Sequence, residues 1–516
     1  MRVEGTEEDP ILFTGTEETR GWWDGIYVQT VDLNNVLSHA VIEYAGNDLD
    51  GGLEIATKTG AAADDAELEL SNCTIRESAG HGLVLGRNAT LFDGSGENTY
   101  TDNDDSPVWT RSSRIHMLSD TSSYTGNGDE YVFVEARDGE DISDSRTEED
   151  AISWDAIEVP YRMDGHTEIH DVELTVDPGA YFEFTQDSML EFQEESAVIM
   201  RGVIDGGDGR DEQVEEITFT GTEETRGWWN GLYIQTTAAD NVLEHVIVEY
   251  GGATDEDSAN VRVATRTGSA GGSGELELTG CTLRESDGHG LVLGRDAELR
   301  DESRANTYTA NTSGPVKARS DNVHTLDWSS DFTGNDDDTV LVEGKTRETD
   351  GDVYWADLGV PYRLDGGTSS FEMNGEFEIA PGTDVEFEQE ARLRIGDDNA
   401  ETDIRFVGTE DDPITFTATE AGRDAGIRGW WDGINVRSTS MLNQIHHATI
   451  EYGGRDLEGN VDVATGATHD GALDLRDCTI RESGAAGVAV GGNEEINGDV
   501  CAVNEFENND GVDCDV

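Results

Sequence analysis

The sequence repeats itself at intervals of roughly 200 residues, and this periodicity restricts the fold more than any other feature. Three blocks carry the repeat, and each block occurs three times. The blocks are GTEETRGWWDGIYVQ, GTEETRGWWNGLYIQ and GIRGWWDGINVR, starting at Gly15, Gly221 and Gly426; VLSHAVIEYAG, VLEHVIVEYGG and QIHHATIEYGG, starting at Val36, Val242 and Gln444; and LELSNCTIRES, LELTGCTLRES and LDLRDCTIRES, starting at Leu68, Leu276 and Leu473. A chain of this kind stacks equivalent units, each of which contacts mainly its neighbours.

A further block sets the limits of the periods. VPYRMDG begins at Val159 and VPYRLDG begins at Val360. The predicted organisation is residues 1–158 as a truncated first period, residues 159–359 as a complete second period, and residues 360–516 as a third period that ends in a C-terminal cap, all in one continuous structure. Because the opening VEGTEEDPILFTGT matches FVGTEDDPITFTAT at residues 406–419, the chain starts in the middle of a period, and we expect further coils upstream.

Each period has the pattern of short β-strands. Apolar and polar residues alternate in LELSNCTIRES, and Gly, Asn and Asp interrupt the pattern every few residues. Short strands that recur about every 20 to 25 residues, in a chain with 61 glycines, predict an all-β solenoid rather than a sandwich. Since each coil adds one strand spacing of about 4.8 Å, ~20 coils predict a single rod on the order of 100 Å long.

The combination of VPYRLDG, EFEIAPGTDVEFEQEARLRI, GTEDDPITFTAT and GWWDGI resembles the right-handed parallel β-helix repeat proteins of the pectate-lyase-like superfold, of the haloarchaeal surface type. The resemblance extends over nearly the whole chain. It implies a right-handed parallel β-helix, an extracellular or cell-surface location and, for most members, no known chemistry.

The charge balance indicates adaptation to high salt. The chain has 112 acidic and 33 basic residues, and its formal net charge is −79. At molar salt the Debye length falls to about 3 Å, so crowded carboxylates are tolerated. The same charge repels a phosphate backbone, which excludes nucleic acid as a partner. Disorder is disfavoured because the hydrophobic residues, 35% of the chain, fall in ordered strand patterns.

The location follows from the resemblance rather than from a targeting signal. The sequence has no stretch of 18 apolar residues, so it predicts no transmembrane segment. It opens MRVEGTEEDP, which lacks the apolar segment of a signal peptide. We therefore expect the signal or anchor to lie outside this sequence, and we expect surface glycans or other cell-surface proteins as partners.

The tryptophan doublets are the candidate carbohydrate contacts. In GWWDGIYVQ, strict alternation places Trp22 on the interior face with Ile26 and Val28, and it places the second tryptophan outward. An exposed indole beside acidic groups can stack on a sugar. The predicted contact residues are Trp23, Tyr27, Trp229, Tyr233 and Trp431. The alternative is that these rings pack beneath adjacent segments, and it is favoured because large apolar rings usually stay covered.

The five cysteines fall into two groups. Cys73, Cys281 and Cys478 hold the same place in successive periods, too far apart along a solenoid for a bridge, which needs Cα atoms within about 7 Å. We interpret each as a small buried filler. Cys501 and Cys514 are predicted to form a disulfide in the last coil, because an open solenoid end exposes a strand edge that needs a cap.

Two kinds of weak site signal remain. Calcium prefers oxygen-rich acidic loops, and NNDGVDCD, with Asp510, Asp513 and Asp515, is the best candidate. The alternative is a solvated acidic surface, because none of the loops matches a full calcium loop; no cofactor is expected to be required. Of the sequons at Asn72, Asn88 and Asn311, we expect Asn88 and Asn311 to suit a glycan, because Asn72 flanks a partly buried strand.

The stretch GHGLVLGR, starting at Gly80, bears on catalysis. Polygalacturonase-like enzymes combine Gly-His-Gly with Asn-Thr-Asp and Arg-Ile-Lys, and the latter two are absent here. The third copy reads AAGVAVGG, with Ala486 in place of His81. We therefore predict no catalytic residue and interpret His81 and His289 as loop residues at coil corners.

The TIRES blocks predict an outward lattice of salt bridges, because in each copy an arginine directly precedes a glutamate. These arginines are Arg76, Arg284 and Arg481, and the glutamates are Glu77, Glu285 and Glu482. We interpret the repeated arginines as structural residues rather than as the activated base of a lyase.

The sequence thus favours a non-catalytic, salt-adapted rod for adhesion, spacing or glycan contact. Two alternatives stay open: a polysaccharide lyase or hydrolase of the pectate-lyase superfold, and a virion or appendage fibre. An enzyme should show one carboxylate cluster in a concave surface of a single period, whereas a scaffold should show equivalent surfaces on all periods.

Overall fold

The computed structural model describes most of the chain. The residues outside the described part are 33, 59–64, 137–141, 144–146, 148, 194, 205–212, 254–256, 265–272, 345–352, 367–369, 374, 397–401, 465–470, 492–494, 497–498 and 516. Two compact units divide the chain, the first made of Met1–Ala264 with Ser269–Gly288 and the second made mainly of His289–Val516. The three periods are a division by sequence and stay a prediction.

The elements described in the first unit are short strands and a 3₁₀ helix, η1 (Ser112–Met117). The strands are β1 (Arg2–Glu4), β2 (Ile11–Phe13), β3 (Ile26–Val28), β4 (Val36–Ser38), β5 (Ala40–Glu43), β6 (Gly51–Ile55), β7 (Ala66–Ser71), β8 (Thr74–Arg76), β9 (His81–Leu85), β10 (Ala89–Leu91), β11 (Thr99–Thr101), β12 (Val108–Arg111), β13 (Val132–Glu135), β14 (Ala151–Trp154), β15 (Tyr161–Asp164), β16 (His166–Ile169), β17 (Glu173–Val176), β18 (Tyr181–Phe184), β19 (Met189–Phe192), β20 (Ala197–Arg201), β21 (Val203–Ile204), β22 (Gln213–Val214), β23 (Ile217–Gly221), β24 (Leu232–Ile234), β25 (Val242–Glu244), β26 (Val246–Glu249), β27 (Ala259–Val263), β28 (Gly274–Thr279) and β29 (Thr282–Arg284).

Consecutive strands of the first unit enter different sheets in turn. The orders are β1-β4-β7-β10, β2-β5-β8-β11, β3-β6-β9-β12-β13-β15-β18-β23-β26-β29, β14-β17-β20-β25-β28 and β16-β19-β24-β27. Pairing in these sheets is parallel, as between β5 and β8 or β6 and β9, while β21 and β22 form a short antiparallel pair. Apart from β21 and β22, the strands therefore pair with strands one circuit further along the chain, which is the arrangement that a solenoid requires.

The second unit follows the same plan. Its strands are β30 (His289–Leu293), β31 (Ala297–Leu299), β32 (Thr307–Thr309), β33 (Gly314–Arg319), β34 (Val340–Glu343), β35 (Val353–Trp355), β36 (Tyr362–Leu364), β37 (Ser370–Met373), β38 (Glu376–Ile379), β39 (Asp384–Phe387), β40 (Arg392–Ile395), β41 (Asp403–Val407), β42 (Ile414–Ala418), β43 (Gly433–Val436), β44 (Gln444–His446), β45 (Ala448–Glu451), β46 (Gly459–Val463), β47 (Ala472–Arg476), β48 (Thr479–Arg481), β49 (Ala486–Val490), β50 (Glu495–Ile496), β51 (Glu505–Glu507) and β52 (Cys514–Asp515). The helical segments are η2 (Val323–Thr325), α1 (Glu420–Ala425) and α2 (Val500–Val503).

Three parallel sheets hold the second unit together. They have the orders β30-β33-β34-β36-β39-β42-β45-β48-β51, β35-β38-β41-β44-β47-β50 and β37-β40-β43-β46-β49-β52. The prediction of an all-β chain with long parallel sheets is confirmed.

The interior is filled from alternate strand positions. In β17, Leu174 and Val176 are buried, while the residues before each of them are half-buried. In-register pairing stacks similar side chains, so Phe182 lies beside Phe219 with ring centroids 5.0 Å apart. Burying each Leu or Phe side chain contributes ~1.5–3 kcal/mol, so these apolar ladders account for much of the cohesion between strands.

Single residues with left-handed backbone form corners at equivalent places. His39, His245 and His447 have φ values of 46°, 51° and 48°, and each separates two strands of different sheets. A non-glycine residue in this region carries a cost of about 1–2 kcal/mol. Hydrogen bonds between circuits hold the corner in place, since the His245 N–H donates to the Thr279 carbonyl oxygen at 3.0 Å.

Buried asparagines satisfy the backbone of the loops. Asn35, Asn241 and Asn443 hold equivalent positions and are 0% exposed. The Asn241 side-chain amide donates to the carbonyl oxygens of Thr236 and Glu275, both at 3.0 Å, and its oxygen accepts from the Val198 N–H at 3.0 Å. One side chain thereby pairs three backbone groups that would otherwise be buried without partners.

Candidate functional site

The buried members of the tryptophan doublets are the reverse of those predicted. Trp229 and Trp431 are 0% exposed, so the outward orientation given by strict alternation is wrong for them, and these rings are covered, as the favoured alternative predicts. Trp229 stacks on Phe184 with ring centroids 4.1 Å apart, and Trp431 stacks on Phe387 at 3.8 Å. The Trp229 indole N–H donates to the Glu249 carbonyl oxygen at 2.8 Å. Neither indole offers a face to a sugar.

The doublets do not follow the alternation because they precede the strands. Gly25, Gly231 and Gly433 stand between the doublets and the apolar strand residues, with φ values of 118°, 93° and 119°. These left-handed glycines turn the chain, so the period-two pattern of the strand does not extend back to the tryptophans. A strand model that treats GWWDGIYVQ as one continuous segment therefore assigns the indoles to the wrong faces.

The first copy is more open than the other two. Trp22 is 44% exposed and its indole N–H donates to the Thr16 hydroxyl at 2.9 Å, whereas Trp23 is half-buried and donates to the Glu43 carbonyl oxygen at 2.9 Å. Tyr27 points outward and is 38% exposed. Tyr233 is half-buried beneath the guanidinium of Arg262, which lies 3.9 Å from the ring centroid. Tyr27 is thus the most accessible of the five predicted sugar contacts.

The same ion-pair network is built three times beside the doublets. The strand pairs are Arg76–Glu43 at 2.7 Å, Arg284–Glu249 at 2.6 Å and Arg481–Glu451 at 2.6 Å. The loop pairs are Arg20–Glu77 at 2.7 Å, Arg226–Glu285 at 2.8 Å and Arg428–Glu482 at 2.9 Å. The predicted lattice is therefore present, with one difference: the arginine and glutamate of each TIRES block bind partners on other segments rather than each other.

A threonine completes each network. The hydroxyl groups of Thr14, Thr220 and Thr417 donate to Glu43, Glu249 and Glu451 at 2.9, 2.9 and 2.7 Å. Each of these glutamates thereby has both carboxylate oxygens occupied, and the three copies contain the same network of contacts.

The histidines of the Gly-His-Gly stretches begin strands. His81 opens β9 and His289 opens β30, so the interpretation of these residues as loop residues is wrong. Burial, reinforced by the charge of Lys58, lowers the pKa of His81 to about 4, and its Nδ1 is buried with no hydrogen-bond partner. His81 is therefore neutral near pH 7.

The cysteines and the C-terminal aspartates have clear surroundings. The structure joins Cys501 and Cys514 in a disulfide with Cα atoms 5.7 Å apart, the pairing predicted from the sequence. The other three cysteines are buried at 1% exposure, as expected for fillers. Asp510 forms an ion pair with Arg428. In the described part of the chain, Asp510, Asp513 and Asp515 do not form a cluster with ligand atoms within 4.8 Å of one another.

The relative solvent exposure of the three sequon asparagines differs from the expectation. Asn311 is 0% exposed and its side-chain amide donates to the Asn335 oxygen at 3.0 Å, so its proposed role as a glycan acceptor is wrong. Asn88 is half-buried. Asn72 is the exposed one because it occupies a left-handed corner, with φ 53°, rather than a strand.

A groove in the first unit lies beside an aspartate, Asp155, that the next period lacks. Its volume is about 920 Å³, and Asp155 lines it together with Ser153 and Thr175. Burial raises the pKa of Asp155, and the nearby charges of Asp177 and Asp120 raise it further. Sequence reasoning missed these three aspartates because no motif marks them. In the aligned blocks of the next period, their places are taken by Trp328, Ala356 and Ala380.

A second groove lies in the second unit. Its volume is about 490 Å³, and it is lined by Tyr354, Glu378, Arg405 and Gln444, among others. The Tyr354 side chain is 50% exposed, and Arg405 Nε lies 3.9 Å from a Glu378 oxygen. The groove therefore presents an open aromatic face beside amide, guanidinium and carboxylate groups.

The fold and these sites define the class as an all-β repeat protein with long parallel sheets. Comparison with protein-family models, with curated proteins and with solved structures finds no match. None of the described helices has the length and apolar character needed to cross a bilayer.

Proposed function

We propose that the chain is a non-catalytic, salt-adapted, right-handed parallel β-helix of ~20 coils that forms one elongated rod at the cell surface or after secretion. Its role is adhesion, spacing or glycan contact. The observation that carries the proposal is the threefold repetition of the Thr–Glu–Arg network. A scaffold needs equivalent surfaces along its length, whereas a catalyst needs one unique constellation.

Salt adaptation rests on the charge excess. With 112 acidic and 33 basic residues, ion pairs neutralise only a minority of the carboxylates, so the folded state needs screening by counter-ions. Far-UV circular dichroism should show loss of β-structure when the protein is dialysed from about 3 M to about 0.05 M salt, where the Debye length exceeds 10 Å. An unchanged spectrum would contradict salt adaptation.

Glycan contact is assigned to the groove beside Tyr354. A glycan array read in about 2–3 M salt should identify bound sugars under conditions in which surface charge is screened. Tyr354→Ala should weaken binding by at least tenfold, because base or sugar stacking on one aromatic ring contributes on the order of 1–3 kcal/mol. Tyr181→Ala, at an exposed tyrosine of the first unit, is the matched control and should bind normally. Equal loss in both variants would place the contact elsewhere.

A polysaccharide hydrolase is the second candidate, and the groove lined by Asp155, with the charge of Asp177 close to that residue, favours it. Glycoside hydrolysis needs two carboxyl groups, one of them with a raised pKa so that it can act as an acid. Asp155 and Asp177 both have raised pKa values, chiefly through burial.

Product analysis on acidic polysaccharides in molar salt tests this candidate directly. If shortened or unsaturated sugars appear and both Asp155→Asn and Asp177→Asn abolish them, while Asp48→Asn on an exposed loop does not, the scaffold proposal is wrong. No release by the wild-type protein supports the scaffold.

A further inference from the structure

Two neighbouring strands of the first unit bring metal-ligand side chains together on their outer face. His166 and Glu168 lie on β16, and Glu191 lies on β19. One ligand atom from each of these residues lies within 4.8 Å of the others. The His166 Nε2 atom is 2.9 Å from a Glu191 oxygen, and its Nδ1 atom is 3.6 Å from a Glu168 oxygen.

A second histidine, His170, contacts Glu168 at the edge of the cluster. His170 follows β16, and its Nε2 atom lies 3.4 Å from the second oxygen of Glu168. Glu168 is thus approached by an imidazole at each of its two oxygens. The side chains of His166, Glu168 and His170 are 28%, 32% and 25% exposed, while that of Glu191 is 8% exposed, so the cluster is partly sheltered but reachable from solvent.

The strand register gives an independent reason to expect a cation. Glu168 stands directly opposite Glu191, and like charges at facing positions of adjacent strands are destabilising. The equivalent strands of the next period, β37 and β40, put Glu372 opposite Arg394 and Ser370 opposite Arg392. The sequence of that period therefore has an arginine at the place that Glu191 holds here, whereas here the facing positions are both acidic and the neighbouring donors include imidazole nitrogens.

We propose that His166, Glu168 and Glu191 bind one divalent transition-metal ion of the zinc type, with His170 as a positioning residue for Glu168. Tetrahedral zinc has ligands at about 2.0–2.1 Å, which puts neighbouring ligand atoms roughly 3.3 Å apart, and the 2.9 Å between His166 Nε2 and the Glu191 oxygen is close to that value. Only one imidazole nitrogen binds the ion, and one ligand atom of each of the three residues lies within 4.8 Å of the others. An imidazole ligand selects such a metal over calcium and magnesium, which prefer oxygen. The bound ion links β16 to β19 and leaves a fourth position open to water.

The test is calorimetric titration of the full chain with Zn²⁺ in about 2 M salt of a weakly coordinating anion, which screens surface charge. We expect one equivalent to bind well above the weak background of the other carboxylates. Co²⁺ should report the same site through the visible absorption bands of a low-coordinate complex.

The next period supplies the decisive variant. His166→Ser with Glu191→Arg introduces the residue types found at Ser370 and Arg394, and it should remove the stoichiometric binding by at least 100-fold. Glu17→Arg, an exposed loop substitution with the same charge change, is the control and should retain it. His170→Ala should weaken binding by about 10–100-fold, as for a residue that orients a ligand.

Two outcomes overturn the proposal. One is the absence of a stoichiometric Zn²⁺ equivalent in the wild-type chain. The other is undiminished binding in the double variant with an unchanged circular dichroism spectrum. Where the double variant misfolds, Glu191→Gln takes its place: it keeps the shape of the side chain and should still lose the site, and retained stoichiometric binding would be equally damaging.

Discussion

Because Trp229 is buried, we expect its replacement to lower the unfolding free energy by a large and specific amount. Replacing Trp229 by Ala removes a fully buried indole that stacks on Phe184 at 4.1 Å and leaves the Glu249 carbonyl oxygen without its 2.8 Å hydrogen bond. Truncation of a buried aromatic side chain costs about 3–5 kcal/mol, and an orphaned buried acceptor adds about 1–3 kcal/mol. Because the two effects overlap, we expect a loss of ~5 kcal/mol. Trp22→Ala, at an indole that is 44% exposed, should cost about 1 kcal/mol or less.

The assay must respect the length of the repeat array. Such arrays need not unfold in a single step, so urea transitions in molar salt should be followed both by far-UV circular dichroism and by hydrogen exchange of peptides around Phe184. Trp229→Ala should move the midpoint strongly and deprotect that segment, while Trp22→Ala should do neither. Equal small effects of both variants would refute the assignment of Trp229 to the interior and restore the alternation that places it outward.

Three further predictions follow from the same contacts. Asn241→Ala should lower the unfolding free energy by about 2 kcal/mol in urea titration, because three buried backbone groups lose their partner; a change below about 0.5 kcal/mol would contradict this role. The Arg284–Glu249 pair should show a coupling energy of roughly 1 kcal/mol at most in a double-mutant cycle, falling further in molar salt, since Arg284 is partly exposed. The pKa of His81 is lowered to about 4 in the folded state, so the unfolded chain binds the extra proton and stability falls as the pH drops from about 6.5 towards 4. His81→Ala should flatten that part of the pH dependence relative to wild type, and an identical pH profile would contradict the buried neutral imidazole.

The parallel strands were predictable because the pattern is local and repeated. Alternation in LELSNCTIRES predicts on which face of the strand each side chain lies. Recurrence of the block predicts that similar side chains stack on one another in neighbouring strands. The three filler cysteines and the arginine lattice follow from the same reasoning. The pattern does not predict the partner of each arginine. Arg284 pairs with Glu249, the residue opposite it on the neighbouring strand, rather than with the adjacent Glu285.

The tryptophans, sequons and corners were not predictable from alternation alone. A left-handed glycine such as Gly231 interrupts the strand pattern before the doublet, and it has no signature that separates it from an ordinary turn glycine. Asn311 matches a sequon, yet both its backbone N–H and its side-chain amide donate to the Asn335 side-chain oxygen inside the fold. His245 takes a corner conformation for which glycine or asparagine would be expected. In each case a hydrogen bond to another circuit decides the outcome.

The copies inside the chain separate what folding requires from what it does not. The second tryptophan of the doublet, the threonine–glutamate–arginine network and the filler cysteine occur in all three copies. The tryptophan is fully buried in the second and third copies and half-buried in the first. Asp155 and His166, by contrast, belong to clusters whose places in the next period are taken by Ala356 and Ser370. Because that period forms the same strands without them, stacking does not require these clusters. Binding or chemistry specific to one period should therefore be sought first at these two sites. The scaffold proposal is strongest if neither site shows ligand binding or catalysis in solution.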